Sequence, residues 1–408
     1  MEKIVIIGGG ASGLVSALFS KNKNNEVIIL ERNNDCGKKL LVTGNGRCNY
    51  FNSDQSINHY HSNSPELIKE FINTKNIYKV LTFFNELGII PKIRDGYYYP
   101  FSNQATTIKN ALVDEVKSTG VIIKNNFLVT NISKEDNKFI IKSENEEVIA
   151  DKLIISTGSY SAPKTGSDGM GYHFLEKFGH KIEKVLPSLT GVKANYKFLK
   201  DWTGVRSEVK LSLYEDNELI REETGEAQFT KYGLSGICTF NLSEYIARGL
   251  DFNKEEVIRI NFIPFLDYIE NKEYNNWLTT ETNKLNINIS KLLERILNYK
   301  LVNIIINESN ISKDKLYTEL TSKEQENLIR NLISFELNIT ETNSYLESQV
   351  CSGGVSLEEI NLSTMESKLV SNLYITGELL DIVGDCGGYN LTIAWLSGML
   401  AGGSINND

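Results

Sequence analysis

The feature that most constrains the fold of this chain is a glycine-rich turn directly after its first apolar run. Residues 3–7 read KIVII, and GGGASG follows at once. Gly8, Gly10 and Gly13 have the G-x-G-x-x-G spacing of a strand-to-helix turn that binds a dinucleotide. Gly8 permits the tight turn, Gly10 lets a pyrophosphate approach the backbone, and Gly13 lets the helix pack closely on the strand. The pattern predicts a parallel α/β sheet that opens with a phosphate-binding turn.

The residues after this turn support the same interpretation. Ala11 and Ser12 lie between the glycines, just before a predicted helix, LVSALFSK, whose free N–H groups and positive dipole end favour phosphate. A second predicted strand, 26–30, is followed by Glu31, about twenty residues after the glycines. A carboxylate there is placed to accept hydrogen bonds from both hydroxyls of an adenosine ribose. We therefore predict a dinucleotide site that includes Gly8, Gly10, Ala11, Ser12, Gly13 and Glu31.

Composition and net charge limit the classes of protein to which this chain can belong. With 408 residues, 41% of them hydrophobic, the chain can bury a sizeable core and form more than one structural unit. No apolar run approaches the roughly 20 residues of a membrane span, and Met1 leads at once into a strand, so we expect a cytoplasmic protein with no membrane partner. The net charge of −9 argues against a broadly basic surface for nucleic acid, although a local basic patch is compatible with it.

Cysteine and histidine usage predicts neither a disulfide framework nor a metal site. The five cysteines are odd in number and contain no C-x-x-C pair, which fits reduced thiols in the cytoplasm. The four histidines have no companions at zinc spacing. His59 and His61 lie in the polar segment FNSDQSINHYHSNS, and we expect them in a solvated loop rather than at a metal.

Two later strands also end in glycine turns. The run DKLIIS leads into Thr157-Gly158, and NLYI leads into Thr376-Gly377-Glu378. A strand that ends in Thr-Gly, followed late in the chain by a strand that ends in glycine and an acid, resembles the FAD-binding fold of the glutathione-reductase-like flavoproteins. The order of the three turns favours FAD over NAD as the cofactor.

The segment GDCGGYNLTIAWLSGMLAGG predicts the last helix of this fold, opened by a glycine turn. The resemblance implies that a nearby acid, Glu378 or alternatively Asp385, binds the ribityl chain. Amide dipoles at the helix N-terminus can face the pyrimidine end of an isoalloxazine, where negative charge develops on reduction. The residues at this N-terminus are Gly387, Gly388, Tyr389, Asn390 and Leu391.

Five longer motifs make the resemblance specific. In chain order they read KKLLVTGNGRCN, TGSDGMGY, TKYGLSG, GGVSLEEINLSTMESKLVSNLYITGELLD and CGGYNLTIAWLSG. Together they resemble the bacterial flavoprotein family whose members are known as aminoacetone-oxidase-like proteins, dehydro-bile-acid reductases and ribosomal-RNA dihydrouridine synthases. The resemblance covers nearly the whole chain and implies an FAD-dependent oxidoreductase, but the family names disagree about the substrate. One departure is Cys351, where a threonine is expected, and we interpret it as a small buried residue.

The first of these motifs contains a further glycine turn. Thr43, Gly44 and Gly46 form a turn in which two glycines can take positive φ and approach a ligand closely. In the family that the chain resembles, this loop lines the flavin. The resemblance therefore implies that Arg47 faces the cofactor or an anionic substrate and that Asn49 hydrogen-bonds nearby.

Cys48 and two lysines in the same motif each have two interpretations. Cys48 is either a proton donor, because a neighbouring arginine can lower the pKa of a thiol, or a small side chain packed under the flavin. Lys38 and Lys39 are either a solvated pair or a small basic patch for phosphates, and Lys39 is counted with the cofactor-binding residues. The candidate catalytic residues are Cys48 and Arg47.

The chain between the FAD-binding halves changes character. From residue 190 onward alternation predicts antiparallel strands, and residues 265–330 have no glycine and many helix formers. We therefore predict an α/β fold: a Rossmann-like FAD-binding domain of the glutathione-reductase type with an inserted β-barrel-like domain that carries a helical insertion. The predicted segments are 1–188 and 344–408 for FAD binding, 189–263 and 331–343 for the barrel, and 264–330 for the helices.

The predicted electron donor is NAD(P)H. No second G-x-G-x-x-G follows a strand, so nicotinamide is expected to dock transiently rather than on a domain of its own. Three functions stay open: a reductase of a carbonyl-conjugated C=C, an oxidase of small amines, and a flavin-binding factor without turnover. For the reductase, uridine in 23S ribosomal RNA is preferred over a dehydro-steroid, for which YYYPF offers an apolar pocket. Apart from the resemblance, RNA is supported by a local basic rim of Lys38, Lys39, Arg47, Lys92, Arg94 and Lys164.

Overall fold

The first apolar run forms an inner strand of a seven-stranded sheet in the computed structural model of the chain. The structure describes residues 1–268 and 274–406. Residues 269–273, within the predicted helical insertion, and 407–408, at the end of the predicted FAD-binding segment, lie outside the described residues.

The strands and helices follow one another along the chain with these bounds. The strands are β1 (Glu2–Ile7), β2 (Asn25–Leu30), β3 (Phe51–Asn52), β4 (Tyr60–His61), β5 (Pro91–Arg94), β6 (Tyr97–Pro100), β7 (Ile122–Lys124), β8 (Asn131–Glu135), β9 (Lys138–Lys142), β10 (Glu147–Ala150), β11 (Lys152–Ile155), β12 (Ile182–Ser188), β13 (Val192–Ala194), β14 (Arg206–Glu215), β15 (Glu218–Phe229), β16 (Gly233–Ser235), β17 (Glu256–Asn261), β18 (Phe335–Thr342), β19 (Val350–Val355), β20 (Ile360–Asn361), β21 (Glu366–Ser367), β22 (Leu373–Ile375) and β23 (Val383–Gly384). The helices are α1 (Ala11–Ser20), α2 (Ile68–Phe71), α3 (Thr74–Glu86), α4 (Ala105–Ser118), α5 (Met170–Lys177), α6 (Ile237–Asp251), α7 (Tyr274–Leu285), α8 (Ile289–Leu293), α9 (Tyr299–Ser309), α10 (Ser322–Ile333) and α11 (Tyr389–Ile405).

The chain divides into two units. The first contains Met1–Leu186 and Ser348–Asp408, and the second contains Pro187–Glu347. Each unit has its own hydrophobic core. The predicted boundaries at 188 and 344 stay a prediction of where cofactor binding ends and the insert begins.

The first unit is built on the sheet β20-β21-β22-β11-β1-β2-β7, in which the strands from β22 to β7 are parallel. Four of the six residues of β1 are buried, as the continuous apolar sequence of an inner parallel strand requires. Helices α1 and α11 pack against each other through glycine. A Cβ at Gly398 would come within 2.6 Å of the Ser12 carbonyl oxygen, and one at Gly402 within 2.5 Å of that of Ser16. Small residues in α11 thus allow the two helices to approach closely.

The second unit is a closed barrel with helices. Its strand order is β13-β16-β15-β14-β17-β18, and buried residues alternate along β14, as expected for a strand with one face in the core. Helices α7 to α10 lie between β17 and β18 in the chain. Within residues 1–268 and 274–406, no helix has the length and apolarity needed to cross a membrane.

One end of the barrel buries an acid. Glu256 on β17 lies directly opposite Glu215 on β14, and Glu256 is buried. Burial, and then the charge of Glu215, raise the pKa of Glu256 to about 8. The folded state therefore keeps this carboxyl protonated at neutral pH, whereas the unfolded chain releases the proton near pH 4.5.

This difference predicts a pH-dependent stability. Stability from Glu256 is fully present below about pH 4.5 and falls as the pH rises towards 8, because the unfolded state alone ionises in that window. Glu256→Gln imitates the protonated carboxyl, so its melting temperature should match that of the wild type near pH 4.5 and exceed it at pH 8. Glu208→Gln, at an exposed position of β14, is the control. A difference in melting temperature between Glu256→Gln and the wild type that stays the same at every pH would contradict the prediction.

Candidate flavin site

Three glycine turns lie together because three parallel strands are neighbours. Ile7 at the end of β1 pairs with Ile155 on β11, which pairs with Ile375 on β22. The carboxyl ends of these strands therefore meet at one edge of the sheet. The turns that follow them, at Gly8, at 157–158 and at 376–377, line this edge, which is where open α/β sheets bind ligands.

The first turn leaves open space at one glycine. Gly8 has φ +103°, and a Cβ there would come within 2.4 Å of the Ser156 carbonyl oxygen. A Cβ at Gly13 would come within 1.9 Å of the Gly8 oxygen, so α1 packs directly on the turn. At Gly10, which precedes α1, a Cβ would have no atom within 4 Å, and no side chain caps the helix. The start of α1, including Ala11 and Ser12, thus faces open space with unused N–H groups.

Glu31 lies at the end of β2, beside this turn. Its Oε2 accepts a hydrogen bond from the Gly9 N–H at 2.8 Å, and its Oε1 accepts from the Asn33 N–H at 2.8 Å and from Asn33 Nδ2 at 2.7 Å. These donors fix the buried carboxylate. Because an ionised carboxylate has about four acceptor positions, it retains capacity for ribose hydroxyls.

Glu378 is a junction between distant parts of the first unit. Its Oε1 accepts from Ser159 Oγ and Ser161 Oγ, both at 2.6 Å, and from the Cys351 N–H at 3.1 Å. Its Oε2 accepts from Lys39 Nζ at 2.6 Å. Lys39 is therefore neither a solvated lysine nor an uncommitted cation: it ties the KKLLVTGNGRCN motif to the turn after β22. Cys351 is buried, in keeping with its interpretation as a small packed residue.

The loop that contains GNGRCN has an unusual backbone. Thr43 has ψ 143°, and Gly44 and Asn45 have φ of 54° and 55° within the short 3₁₀ segment Leu40–Gly46. Asn49 follows, and its Oδ1 is buried without a hydrogen-bond partner in the described part of the chain. A buried orphan acceptor of this kind requires a donor from elsewhere, such as a ligand.

The side chains of Cys48 and Arg47 lie in different surroundings. Cys48 is fully buried, and burial raises the pKa of its thiol to about 12 despite a hydrogen bond involving Thr43. The guanidinium of Arg47 lies 5.1 Å from the centre of the Tyr99 ring, and its Nε donates to the Gly44 oxygen at 3.1 Å. Desolvation rather than the neighbouring Arg47 dominates the pKa of Cys48, and of its two interpretations the packed side chain is favoured.

Two side-chain amides hold the start of α11 in place. Asn52 Nδ2 donates to the Gly387 oxygen at 3.0 Å, and the side chain of Asn390 bonds both the N–H and the oxygen of Gly384, at 2.9 and 2.7 Å. Gly388 precedes the helix with φ 96° and no side-chain cap. The amides at Gly388, Tyr389 and the following residues are therefore available to an acceptor on a ligand.

The histidine segment is not a solvated loop, and that expectation is wrong. His61 lies in β4, which pairs with β23. His59 Nδ1 is 3.0 Å from Asp385 Oδ2, and His61 Nε2 is 2.9 Å from Asp385 Oδ1. Asp385 is buried and engaged by the two rings. No cluster of three or more His, Cys, Asp or Glu residues fit for a metal occurs in residues 1–268 and 274–406.

These features fit FAD. The edge offers open space at Gly10 for a diphosphate, an orphan buried acceptor at Asn49, and two uncapped helix starts, at α1 and α11. Sequence reasoning missed the polar side chains that hold the turns in place: Asn52, His59, His61, Ser159 and Ser161. A signal for the histidines is the alternation in NHYH, which is typical of a short strand.

Comparison with known proteins agrees with this geometry. The model of the HI0933-like protein Rossmann domain family matches residues 2–404. The chain is 36% identical over 405 residues to the 3-dehydro-bile acid delta(4,6)-reductase of Clostridium scindens, covering 98% of each chain. It is 28% identical over 406 residues to the ribosomal RNA dihydrouridine synthase of Escherichia coli, covering 96% of this chain and 95% of that protein.

Solved structures share the fold. The 3-ketosteroid-Δ4-(5α)-dehydrogenase of Rhodococcus jostii has a TM-score of 0.50 at 12% identity, with 99% of this chain and 97% of that chain covered. The 3-ketosteroid Δ1-dehydrogenase of Sterolibacterium denitrificans also has a TM-score of 0.50, at 10% identity and full coverage of both chains. The predicted α/β fold of a Rossmann-type FAD-binding domain with a barrel is thus confirmed. The chain belongs to the HI0933-like Rossmann-domain family and is an FAD-dependent oxidoreductase.

Proposed function

We propose that the protein reduces a carbonyl-conjugated C=C, and that its substrate is uridine in 23S ribosomal RNA, which becomes dihydrouridine. The relative in Escherichia coli is named for this reaction, and the relative in Clostridium scindens is also named as a reductase. The observation that carries the choice of RNA is a basic and aromatic surface beside the start of α11.

This surface, the hairpin face, consists of Lys92, Arg94, Tyr97 and Tyr99. Lys92 pairs with Tyr99 and Arg94 with Tyr97 across β5 and β6. Directly paired residues project on the same side of a sheet, so the two cations and the two phenol rings share one face. Tyr98, at the alternate position, packs edge-on against Phe51 instead. Cations beside half-buried aromatic rings suit phosphates and unstacked bases.

Arg47 and Gly387 extend the hairpin face at its two ends. Arg47 lies on Tyr99, and its two terminal nitrogens make no hydrogen bond within the described residues. Asn52 pairs with Tyr97 and donates to Gly387. The hairpin face therefore extends from the guanidinium of Arg47 to the turn before α11 at Gly387. A steroid has no phosphate for three cations to bind, whereas an RNA strand has one per nucleotide.

The other residue roles belong to the same proposal. FAD supplies the hydride when it is bound. The turn of Gly8, Gly10, Ala11, Ser12 and Gly13 binds the pyrophosphate, and Glu31 binds the adenosine ribose. Thr157, Gly158 and Gly377 line the edge of the sheet, and Glu378, exchanging one of its present donors, or Asp385 in its place, accepts from the ribityl chain. Thr43, Gly44, Gly46 and Asn49 face the flavin with Gly387, Gly388, Tyr389, Asn390 and Leu391, while Lys39 holds Glu378.

NAD(P)H is the proposed electron donor, and it docks transiently. With an RNA substrate, the proposed location of the protein is the cytoplasm, with the ribosome.

The second candidate function is reduction of a dehydro-bile acid, supported by the 36% identity to the Clostridium scindens reductase. One experiment separates them. The FAD-loaded protein with NADH or NADPH is given unmodified 23S rRNA or a 3-oxo-Δ4,6 bile acid in parallel. We expect mass spectrometry to find uridine that has gained two hydrogens and the steroid to be unchanged.

Other outcomes of this experiment contradict the proposal. Steroid reduction without RNA reduction would favour the second candidate. Peroxide formed from small amines without nicotinamide would identify an oxidase. Bound FAD with no product from any substrate would indicate a flavin-binding factor.

Gly10→Val should abolish FAD binding while the apoprotein still folds. The side chain would enter the open space proposed for the pyrophosphate, and no protein atom lies within 4 Å to be disturbed. Flavin absorbance of the purified variant and the melting temperature of the apoprotein measure the two effects. Gly403→Val, at another open position, is the control and should stay yellow. Full FAD occupancy in Gly10→Val would show that the pyrophosphate lies elsewhere.

Cys48→Ala should keep turnover near that of the wild type and lower stability by about 1–2 kcal/mol, because it removes a buried sulfur rather than an acid. Turnover, flavin absorbance and melting temperature are measured on the same preparation. A loss of turnover of about 10²-fold or more with FAD still bound would restore Cys48 as the proton donor.

The hairpin face should control RNA binding. Arg47→Ala should lose a charge-assisted contact of about 1.5–3 kcal/mol, and Arg47→Lys should recover little of it because the planar fork is missing. Arg94→Ala should weaken RNA binding. It should also reduce the slope of the logarithm of RNA affinity against the logarithm of salt concentration by about one. Filter binding over a salt series measures both, with Lys75→Ala, an exposed lysine on α3, as the control. Unchanged affinity in both arginine variants would contradict this placement of the RNA.

A further inference from the structure

Two buried aspartates hold the histidine segment against the strand that leads to α11. Asp381 Oδ2 accepts from the Asn63 N–H at 2.9 Å and from Ser62 Oγ at 3.1 Å. Asp385 binds His59 and His61, and its N–H donates to the His59 oxygen at 2.9 Å. Burying two carboxylates is costly unless donors satisfy them, so this segment has one defined position.

His59 lies between two carboxylates. Its Nδ1 is 3.0 Å from Asp385 Oδ2, and its Nε2 is 3.2 Å from Asp54 Oδ2. Ionised carboxylates only accept, and both imidazole nitrogens donate at once only in the protonated ring. A hydrogen bond from the Ser56 N–H and one from His59 hold the pKa of Asp54 below its usual range, so Asp54 is ionised. With Asp385 ionised as well, both contacts are hydrogen bonds at once only when the His59 ring carries a proton on each nitrogen.

The same ring lies flat on the first residue of α11. The centres of the His59 and Tyr389 rings are 4.5 Å apart with an interplanar angle of 17°, and Tyr60 contacts Tyr389 edge-on. Asn390 fixes the next position by bonding Gly384. The start of α11 is thus positioned by His59 from one side and by Asn390 from the other.

We propose that His59 is a positioning residue for the flavin: through Tyr389 it sets the start of α11, and through its charge, held by Asp385, it favours the electron-rich reduced flavin. This inference rests on the proposed function, which places the pyrimidine end of the flavin at this helix start. A cation there adds to the helix dipole, and both stabilise negative charge that develops on reduction. Asp54 and Asp385 together carry more negative charge than one imidazolium can neutralise, so the ring acts by offsetting carboxylates that would otherwise face the flavin alone.

The test is the midpoint potential of the bound flavin, which needs no substrate. His59→Phe retains a ring over Tyr389 but removes the charge and both hydrogen bonds. We expect its potential to shift to more negative values and its FAD dissociation constant to rise roughly tenfold, because the start of α11 loses the hydrogen bonds that anchor the stacked ring to Asp385 and Asp54. His173→Phe, at an exposed position of α5 whose nearest carboxylate oxygen is 4.0 Å away, is the control and should match the wild type.

A second variant keeps the test decisive if His59→Phe does not fold. His59→Gln retains a donor towards Asp385 but has no charge, so it should give the same negative shift with a melting temperature closer to the wild type. Wild-type potential and FAD affinity in the folded variant would show that the cluster is only structural and would overturn the inference. Failure of the proposed function would be seen separately, as an absence of RNA reduction by a wild-type protein whose potential still depends on His59.

Discussion

Parallel pairing of β1 with β11, and of β11 with β22, is the constraint on which the first unit depends. It brings together turns that are separated by about 150 and 220 residues in the chain, because the carboxyl ends of parallel neighbours meet at one edge of a sheet. The glycines in these turns then allow α1 and α11 to start at that edge and to pack on each other. Without this pairing the chain would have three isolated glycine turns and no site.

Two carboxylates, the partly buried Glu378 and the buried Asp385, hold the loops at this edge in place. Glu378 draws Lys39, Ser159 and Ser161 to the turn after β22. Asp385 does the same for His59 and His61 at the turn before α11. Each carboxylate costs free energy to bury unless its donors are in place, so the two junctions select one arrangement of loops that the sheet alone would leave open. In the second unit the buried acid Glu256 is stabilised by keeping its proton rather than by hydrogen-bond donors around a carboxylate.

Local patterns predicted the features that depend on local backbone, and missed those that depend on distant partners. The run KIVII, the glycine spacing and the alternation after residue 190 predicted the inner strand, the turn and the barrel, because strand burial and turn geometry are encoded within a few residues. His59 looked solvated because its neighbours are polar, and its partner lies 326 residues away at Asp385. Cys48 had two interpretations because Arg47 is adjacent in the chain, and its complete burial, which the local sequence does not show, favours the packed one. Glu378 likewise gave no sign of its four donors.

Reduction of uridine in ribosomal RNA is the proposed reaction of this flavoprotein. The most direct measurement is mass spectrometry of 23S ribosomal RNA from a strain in which the gene is deleted, compared with the same strain carrying the gene again. One dihydrouridine should disappear on deletion and return on complementation. An identical dihydrouridine content in the parent and the deletion strain would contradict it.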